Sequence, residues 1–238
     1  MCSLNERLTI EELKTVCQNK EKDRSFFVAP ISRRISIRIT ALLIRTTVTA
    51  NQLSAICIAV GTLAGFLLSL GVYVYGIVAG LLLALFVLID TVDGEVARYR
   101  RMIDKTEEDK RGRFLELAEH MIIMPFTFIS LSYGVFNRIG DSRAFALGFS
   151  SVMFFMLYHV VAFYAAYVKR LDQPIFAHET ENLRSIKKLA FNLLSSSFLP
   201  IIILTCAFFD GLYLALAFYG AAFPILALLY MYLQFLDF

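Results

Sequence analysis

One segment of the chain is uncharged over roughly the thickness of a bilayer and then becomes polar. Residues 72–89 carry no charge, and residues 90–98 read Asp-Thr-Val-Asp-Gly-Glu-Val-Ala-Arg. Carboxylates at the end of a membrane-spanning helix are costly unless they are compensated, so they indicate a functional site. On a helix, positions 90, 93, 94, 97 and 98 share one stripe, because three, four, seven and eight residues separate them. We therefore expect a fold that holds this stripe at a membrane surface.

The side chains of the stripe suit a divalent cation and a phosphate group. Asp90 and Asp93 offer oxygen ligands for a hard cation. Gly94 and Ala97 leave a bare patch of helix that a ligand can approach closely. Arg98 supplies a guanidinium whose planar geometry matches phosphate. The stripe is thus predicted to be a metal- and phosphate-binding site.

The composition indicates a membrane protein. The chain has 238 residues, of which 58% are hydrophobic, and a mean hydropathy of +0.66, which is well above that of an ordinary soluble domain. Because a span needs about 20 mostly apolar residues, the sequence predicts an all-α integral membrane protein with six transmembrane helices. A turn near Gly71 divides the first two spans, and Asp210 with Gly211 divides the last two. The approximate bounds are 53–70, 71–90, 114–136, 144–168, 189–209 and 211–236.

The basic residues predict the orientation in the membrane. With both termini cytoplasmic, the inside segments contain 21 of the 23 Lys and Arg residues, and only Arg138 and Arg143 lie outside. Such asymmetry favours a topology with both ends inside. The stripe at residues 90–98 is then expected at the cytoplasmic face.

Residues 30–45 are expected to form an amphipathic helix in the membrane interface. Apolar residues recur there at helical spacing, and four arginines interleave with them. These arginines could anchor the helix to anionic lipid, or one or more could hold a substrate phosphate. The chain is accordingly divided into a cytoplasmic N-terminal segment (1–29), the interfacial helix (30–45) and a six-span membrane domain (46–238).

A second polar group lies at the start of the third predicted span. Glu116, Glu119 and His120 stand at positions i, i+3 and i+4, so they share one helix face. If this span packs beside the second one, these side chains can face Asp90 and Asp93 across a polar cavity. Carboxylates from two neighbouring helices could then hold one or two divalent ions. A buried cluster of ion pairs is the structural alternative.

Two pairs of glycines at four-residue spacing fall within the first two spans. Gly61 and Gly65 form the first pair, and Gly76 and Gly80 form the second. This spacing allows two helix backbones to approach closely. Both pairs are predicted to be helix-packing contacts.

The polar stripe resembles the signature of the CDP-alcohol phosphotransferases (CDP-alcohol phosphatidyltransferases) of phospholipid synthesis. That signature reads Asp-x2-Asp-Gly-x2-Ala-Arg, a loop of seven or eight residues, and then Gly-x3-Asp-x3-Asp. Its first half matches Asp90, Asp93, Gly94, Ala97 and Arg98. Residues 46–54 also look like the Thr-Pro-Asn-Gln stretch that opens the first span in many members, with Ala50 in place of proline. The resemblance covers roughly residues 30–236.

The second half of the signature departs from the family pattern. Glu116 stands where the family has its third Asp, and His120 stands where it has the fourth, which is the proposed base and a metal ligand. Glu119 lies one position earlier. The loop from Tyr99 to Arg111 is about five residues longer than usual. His120 could be a base for an alcohol or a softer metal ligand, and a catalytically degenerate relative is the remaining alternative.

The resemblance implies metal-dependent transfer of a substituted phosphate group from a CDP-linked donor to an alcohol acceptor, with release of CMP. The donor would be CDP-diacylglycerol or a CDP-alcohol. Asp90, Asp93, Glu116 and His120 would hold one or two Mg²⁺ or Mn²⁺ ions, and His120, with Glu119 as a substitute, would be catalytic. Gly94, Ala97 and Arg98 would bind the nucleotide. The implied partners are these substrates, the lipid bilayer and a second copy of the chain, with no nucleic acid.

Two functions of other classes are also weighed. A cation or phosphate transporter would carry intramembrane carboxylates, but it would usually place them near the midplane on broken helices within inverted repeats, and no such repeat is visible. A non-catalytic scaffold would keep the helix packing and lose metal ligands. Metal-dependent CMP release would separate an enzyme from both.

Overall fold

The computed structural model describes residues 9–18, 29–104, 110–172 and 198–236. Within these ranges all regular structure is helical, in agreement with the predicted fold class. The helices are α1 (Ile10–Gln18), α2 (Ala29–Leu43), α3 (Ala50–Ser69), α4 (Tyr73–Asp104), α5 (Lys110–Ile139), α6 (Arg143–Asp172), α7 (Leu199–Phe208) and α8 (Leu212–Leu236).

Five of the described helices, α3, α4, α5, α6 and α8, are long and apolar enough to cross a membrane. Large apolar side chains on them point outward, among them Phe66, Phe149 and Ile225, which are 56%, 70% and 66% exposed. A bilayer is the medium in which such an apolar surface is stable. The chain is therefore an all-α integral membrane protein. Helix α7 is a shorter apolar helix, and the earlier part of the predicted span 189–209 lies outside the described residues.

Both predicted breaks between adjacent spans are confirmed. Gly71, between α3 and α4, has a φ of 67°, and Asp210, between α7 and α8, has a φ of 55°. Glycine adopts this left-handed conformation without a steric penalty, and Asp tolerates it better than most residues. Each break reverses the chain so that two apolar helices pack side by side.

The second membrane helix is longer than predicted. The span was expected to end near residue 90 and to be followed by a loop from Tyr99 to Arg111, but α4 continues to Asp104 and α5 begins at Lys110. The predicted loop is therefore wrong over residues 99–104 and 110–111. The apolar pattern ends where the bilayer would end, whereas the helix continues because α1 and α2 pack against its polar part.

The six described helices of the membrane domain form a ring, and a further contact between α5 and α8 crosses it. Going round, α3 contacts α5, α5 contacts α6, α6 contacts α8, α8 contacts α7, α7 contacts α4, and α4 returns to α3. Because α3 lies between α4 and α5, it aligns the two helices that carry the polar groups.

The glycine pairs confirm the predicted close contacts between helices. A Cβ atom on Gly61 would lie 2.6 Å from the Ile123 side chain of α5, and one on Gly65 would lie 2.4 Å from Phe126. On α4, a Cβ atom on Gly80 would lie 2.9 Å from the Leu204 backbone of α7. The first pair therefore brings α3 close to α5, and the second brings α4 close to α7.

The end of the helix ring opposite α2 holds a separate polar network. Arg138 forms an ion pair with Asp210 and donates a hydrogen bond to the Gly71 carbonyl. Asn137 donates to the carbonyl of Ser69. These bonds join the turns that precede α4 and α8 to the end of α5. The polar stripe is therefore well separated, along the path of the chain, from the two basic residues that were predicted to lie outside, Arg138 and Arg143.

A short helix near the N-terminus was not predicted. Helix α1 begins after Thr9, whose hydroxyl accepts a hydrogen bond from the Glu12 backbone while the Glu12 carboxylate accepts one from the Thr9 backbone. This reciprocal pair is a capping box. Leu13 and Cys17 of α1 are buried together with Ile37 of α2. The segment predicted only as a cytoplasmic N-terminal stretch therefore contains a helix that packs on α2 and α4.

Candidate metal and phosphate site

Three carboxylates from two helices converge beside α3. Oxygen atoms of Asp90 and Asp93 on α4 and of Glu119 on α5 all lie within 4.8 Å of one another. Glu119 is fully buried and Asp93 is 6% exposed, whereas the Asp90 side chain is 22% exposed. The cluster thus reaches from the interior of the helix ring towards its polar end.

The separation of these oxygens fits one hard divalent cation. Oxygen ligands lie about 2.1 Å from Mg²⁺ and about 2.4 Å from Ca²⁺, so two ligands of one ion are at most about 4.2 Å apart for Mg²⁺ and about 4.8 Å apart for Ca²⁺. Three carboxylates also carry the charge that a divalent ion requires, and their oxygens are the hard donors that Mg²⁺ and Mn²⁺ prefer. The donor set therefore fits the predicted cofactor.

Ser54 of α3 orients one of the predicted ligands. Its hydroxyl donates a 2.8 Å hydrogen bond to Oδ2 of Asp93. Ser54 lies in the first turns of α3, which begins at Thr49 with a capping box formed by Thr49 and Gln52. The stretch that resembles the family's Thr-Pro-Asn-Gln motif therefore places a hydroxyl against the carboxylate cluster. A hydrogen-bonded partner of this kind holds a ligand in a binding orientation.

His120 lies at the more exposed side of the cluster. Its Nε2 atom is 3.8 Å from Oδ2 of Asp90, and its side chain is 20% exposed. The imidazole and the ring of Phe86 pack in a T-shaped arrangement, with ring centres 5.9 Å apart. His120 is therefore adjacent to the carboxylates and still reachable from outside.

Glu119 and His120 on α5 approach Asp90 and Asp93 on α4, as expected, although α3 packs between the two helices. Glu119 was predicted as a substitute base, and the structure brings it into the group that could hold a metal ion. The side chain of Glu116, the predicted metal ligand, lies outside the described part of the structure. Its role as a ligand stays a prediction.

Arg98 lies one turn beyond Gly94 on α4 and reaches back across it. A Cβ atom on Gly94 would be 3.4 Å from Nη1 and 3.5 Å from Nη2 of Arg98. The Nε atom of Arg98 donates a 2.6 Å hydrogen bond to the carbonyl of Cys17 on α1. Gly94 and Ala97 are both partly exposed. The guanidinium and the bare patch of helix thus share one surface, as the stripe predicted.

Sequence reasoning missed a buried carboxylate next to this stripe. Glu95 is fully buried and accepts hydrogen bonds from Gln18 of α1 at 2.6 Å, from Ser36 of α2 at 2.7 Å and from Thr40 of α2 at 2.6 Å. Three hydrogen bonds stabilise a carboxylate away from water. One sequence signal could have revealed this contact. Ser36 and Thr40 stand four residues apart on a helix whose other faces carry apolar residues.

Helix α2, which was predicted to lie in the membrane interface, has two faces with different environments. Ser36, Ile37 and Thr40 are buried against the rest of the protein, while Ile31 and Leu42 are each 66% exposed. The outward face therefore combines apolar side chains with exposed arginines, as expected of a helix in a membrane interface.

Comparison with protein-family models and with curated proteins finds no match to this chain. The resemblance to the CDP-alcohol phosphotransferases therefore depends on the residues quoted above.

Proposed function

We propose that the protein is a metal-dependent enzyme that transfers a substituted phosphate group from a CDP-linked donor to an alcohol acceptor, releasing CMP. The observation that carries this proposal is the convergence of Asp90, Asp93 and Glu119, whose oxygens lie within 4.8 Å of one another at the end of an apolar helix. An acidic group placed there is suited to a phosphorylated substrate that is itself tethered to a membrane.

The carboxylates would hold Mg²⁺ or Mn²⁺, with Ser54 keeping Asp93 in the binding orientation. A divalent ion in this position neutralises the charge that develops on the departing phosphate oxygen. Glu116 is the further ligand that the family signature implies.

The pyrophosphate of the donor would lie on the surface formed by Gly94, Ala97 and Arg98. Arg98 presents two terminal nitrogens, Nη1 and Nη2, above Gly94, and a guanidinium can bind two phosphate oxygens at once. Gly94 leaves room for the Arg98 guanidinium to lie over the helix, and the small side chain of Ala97 would let the nucleotide approach the helix backbone.

His120 would accept the proton of the attacking alcohol. The alcohol oxygen forms a bond to the distal phosphorus, the bond from that phosphorus to the CMP oxygen breaks, and CMP leaves with the electron pair. His120 lies beside Asp90 and is partly exposed, so an acceptor hydroxyl can reach it. A neutral imidazole is a common general base for removing the proton of an alcohol.

The proposed site would open to the cytoplasm and to the inner leaflet. The exposed apolar and basic face of α2 supports this location, because such a face suits anionic lipid. The predicted orientation places both termini and the site inside, and a homodimer is the assembly expected from the resemblance.

The test is CMP release by the purified protein in lipid nanodiscs. CDP-diacylglycerol and CDP-alcohols are each offered with a panel of alcohol acceptors, with Mg²⁺ or Mn²⁺ and with a chelator. We expect release that requires the metal and that Asp93→Asn abolishes. His120→Asn should lower kcat strongly while Mn²⁺ binding is kept.

The matched control is Asp141→Asn, which also removes one carboxylate. Asp141 lies in the turn before α6 and pairs with Arg143, so this variant should keep wild-type activity. CMP release that does not need the metal would refute the proposed enzymatic function, and so would the lack of CMP release with every donor. Metal binding without CMP release would favour a scaffold or transporter.

A further inference from the structure

The guanidinium of Arg98 is held by a helix outside the membrane domain. Helix α1 ends at Gln18, so the carbonyl of Cys17 belongs to its last turn and has no partner within that helix. The Nε atom of Arg98 donates to this carbonyl at 2.6 Å. A cation at the carboxyl end of a helix is also favoured by the helix dipole. The contact therefore stabilises α1 and orients Arg98 at the same time.

The position of this carbonyl is itself set by Glu95. The side-chain amide of Gln18 donates to Glu95 at 2.6 Å and to the carbonyl of Arg33 at 3.1 Å. Glu95 follows Gly94 directly and lies three residues before Arg98 on α4. One side chain, Gln18, thus joins the end of α1 to α2 and to the same turns of α4 that carry the phosphate-binding surface.

The contact leaves the two terminal nitrogens of Arg98 for a ligand. An arginine has five N–H donors in a rigid plane. Within the described residues, the hydrogen bond of Arg98 is the one from Nε to Cys17, and Nη1 and Nη2 lie over Gly94. Because the plane is rigid, anchoring Nε at Cys17 determines where Nη1 and Nη2 point.

We propose that Gln18 is a positioning residue of the donor site: through Glu95 it holds the end of α1, whose Cys17 carbonyl aims Arg98 at the pyrophosphate of the CDP-linked substrate. This inference rests on the proposed function. It makes the N-terminal helix a part of the nucleotide site, although α1 is outside the membrane spans and outside the signature.

The test measures CMP affinity, kcat, KM for the donor and Mn²⁺ affinity in the full-length protein. Gln18→Ala should raise KM and the Kd for CMP about tenfold. This is the change expected when Arg98 is no longer aimed at the phosphate and one hydrogen bond between charged groups is lost. It should leave kcat and Mn²⁺ affinity within about twofold. Gln18→Met, which keeps the side-chain length without the donor, should give the same result if Gln18→Ala is poorly folded.

A double-mutant cycle with Arg98 separates positioning from a general loss of structure. If Gln18 acts through Arg98, Gln18→Ala should not weaken CMP binding further in an Arg98→Ala background. Thr15→Val, on the exposed side of α1, is the control and should behave as wild type.

Two failures are distinguishable. A wild-type protein that releases no CMP would refute the proposed function and, with it, this inference. If the wild type is active, three results for Gln18→Ala would overturn the inference alone. These are an unchanged CMP affinity, an equal loss of CMP and Mn²⁺ affinity, or an equal weakening of CMP binding with and without Arg98.

Discussion

Neutralising Glu119 should stabilise the metal-free protein and remove its response to metal. The three carboxylate oxygens lie within 4.8 Å of one another. At an effective dielectric constant of about 20, two unit charges at that distance repel by about 3.5 kcal/mol. Glu119→Gln removes two of the three repelling pairs. For three ionised carboxylates this relief exceeds the roughly 1–3 kcal/mol that a lost buried hydrogen bond would cost, so the melting temperature without metal is predicted to rise.

Metal binding should have the opposite consequence in the wild type. An ion at a hundred times its Kd stabilises the folded state by about 2.7 kcal/mol. For a chain of this length, such a change raises the melting temperature by roughly 5–10 °C. Glu119→Gln should show a higher melting temperature without metal and little further rise with Mg²⁺ or Mn²⁺.

The assay is thermal unfolding in detergent, followed with a thiol-reactive dye. Cys17 and Cys57 are buried in the folded protein and become reactive when the helices separate, whereas the partly buried Cys206 adds a background signal. Glu11→Gln is the control, because Glu11 is an exposed carboxylate of α1 that pairs with Lys14, and it should keep the full response to metal. A wild type that does not respond to Mn²⁺, or a Glu119→Gln variant that responds as strongly as the wild type, would refute the proposed metal site.

Three further predictions follow from single contacts. Ser54→Ala removes the 2.8 Å hydrogen bond to Asp93 and should weaken Mn²⁺ binding at least about tenfold, measured by titration with electron paramagnetic resonance detection. Burial raises the pKa of Cys17 to about 11, so at pH 8 this thiol should be alkylated about a hundredfold more slowly than an exposed one. Peptide mass spectrometry would measure the rate, and a rate equal to that of a model peptide would contradict the docking of α1. Gly134→Ala would place a Cβ atom 1.9 Å from the Leu68 carbonyl oxygen, so α3 and α5 must separate and the yield of folded, monodisperse protein should fall sharply; a wild-type elution profile would contradict this contact.

Features with local causes were predictable from the sequence. The breaks at Gly71 and Asp210, the close contacts of Gly61 and Gly80, and the shared stripe on α4 were all expected. Each follows from the length of an apolar run, from the size of one side chain or from the pitch of a helix. These quantities can be read along the chain without knowing which helices are neighbours.

The extent of α4 and the existence of α1 were not predictable in the same way. The apolar pattern of α4 ends near residue 90, and the helix continues because other helices cover its polar part. Glu95, within that part, gave no periodic signal, and its burial depends on hydrogen bonds from Gln18 and Thr40, which are far away in the sequence. The spacing of Ser36 and Thr40 marks a polar face of α2, but periodicity within one helix does not show which distant side chain that face meets.

The chain by itself determined that a long apolar helix would carry acidic residues at the end of its uncharged run, because a run of uncharged residues and a helical repeat are properties of consecutive amino acids. Which carboxylates meet was decided only by the tertiary structure. Glu116, Glu119 and His120 lie on one face of α5, and spacing alone does not say which of them turns towards Asp93. The close approach of α3 to α5 at the small side chains of Gly61 and Gly65 sets the rotation of α5, and that packing brings Glu119 to Asp90 and Asp93.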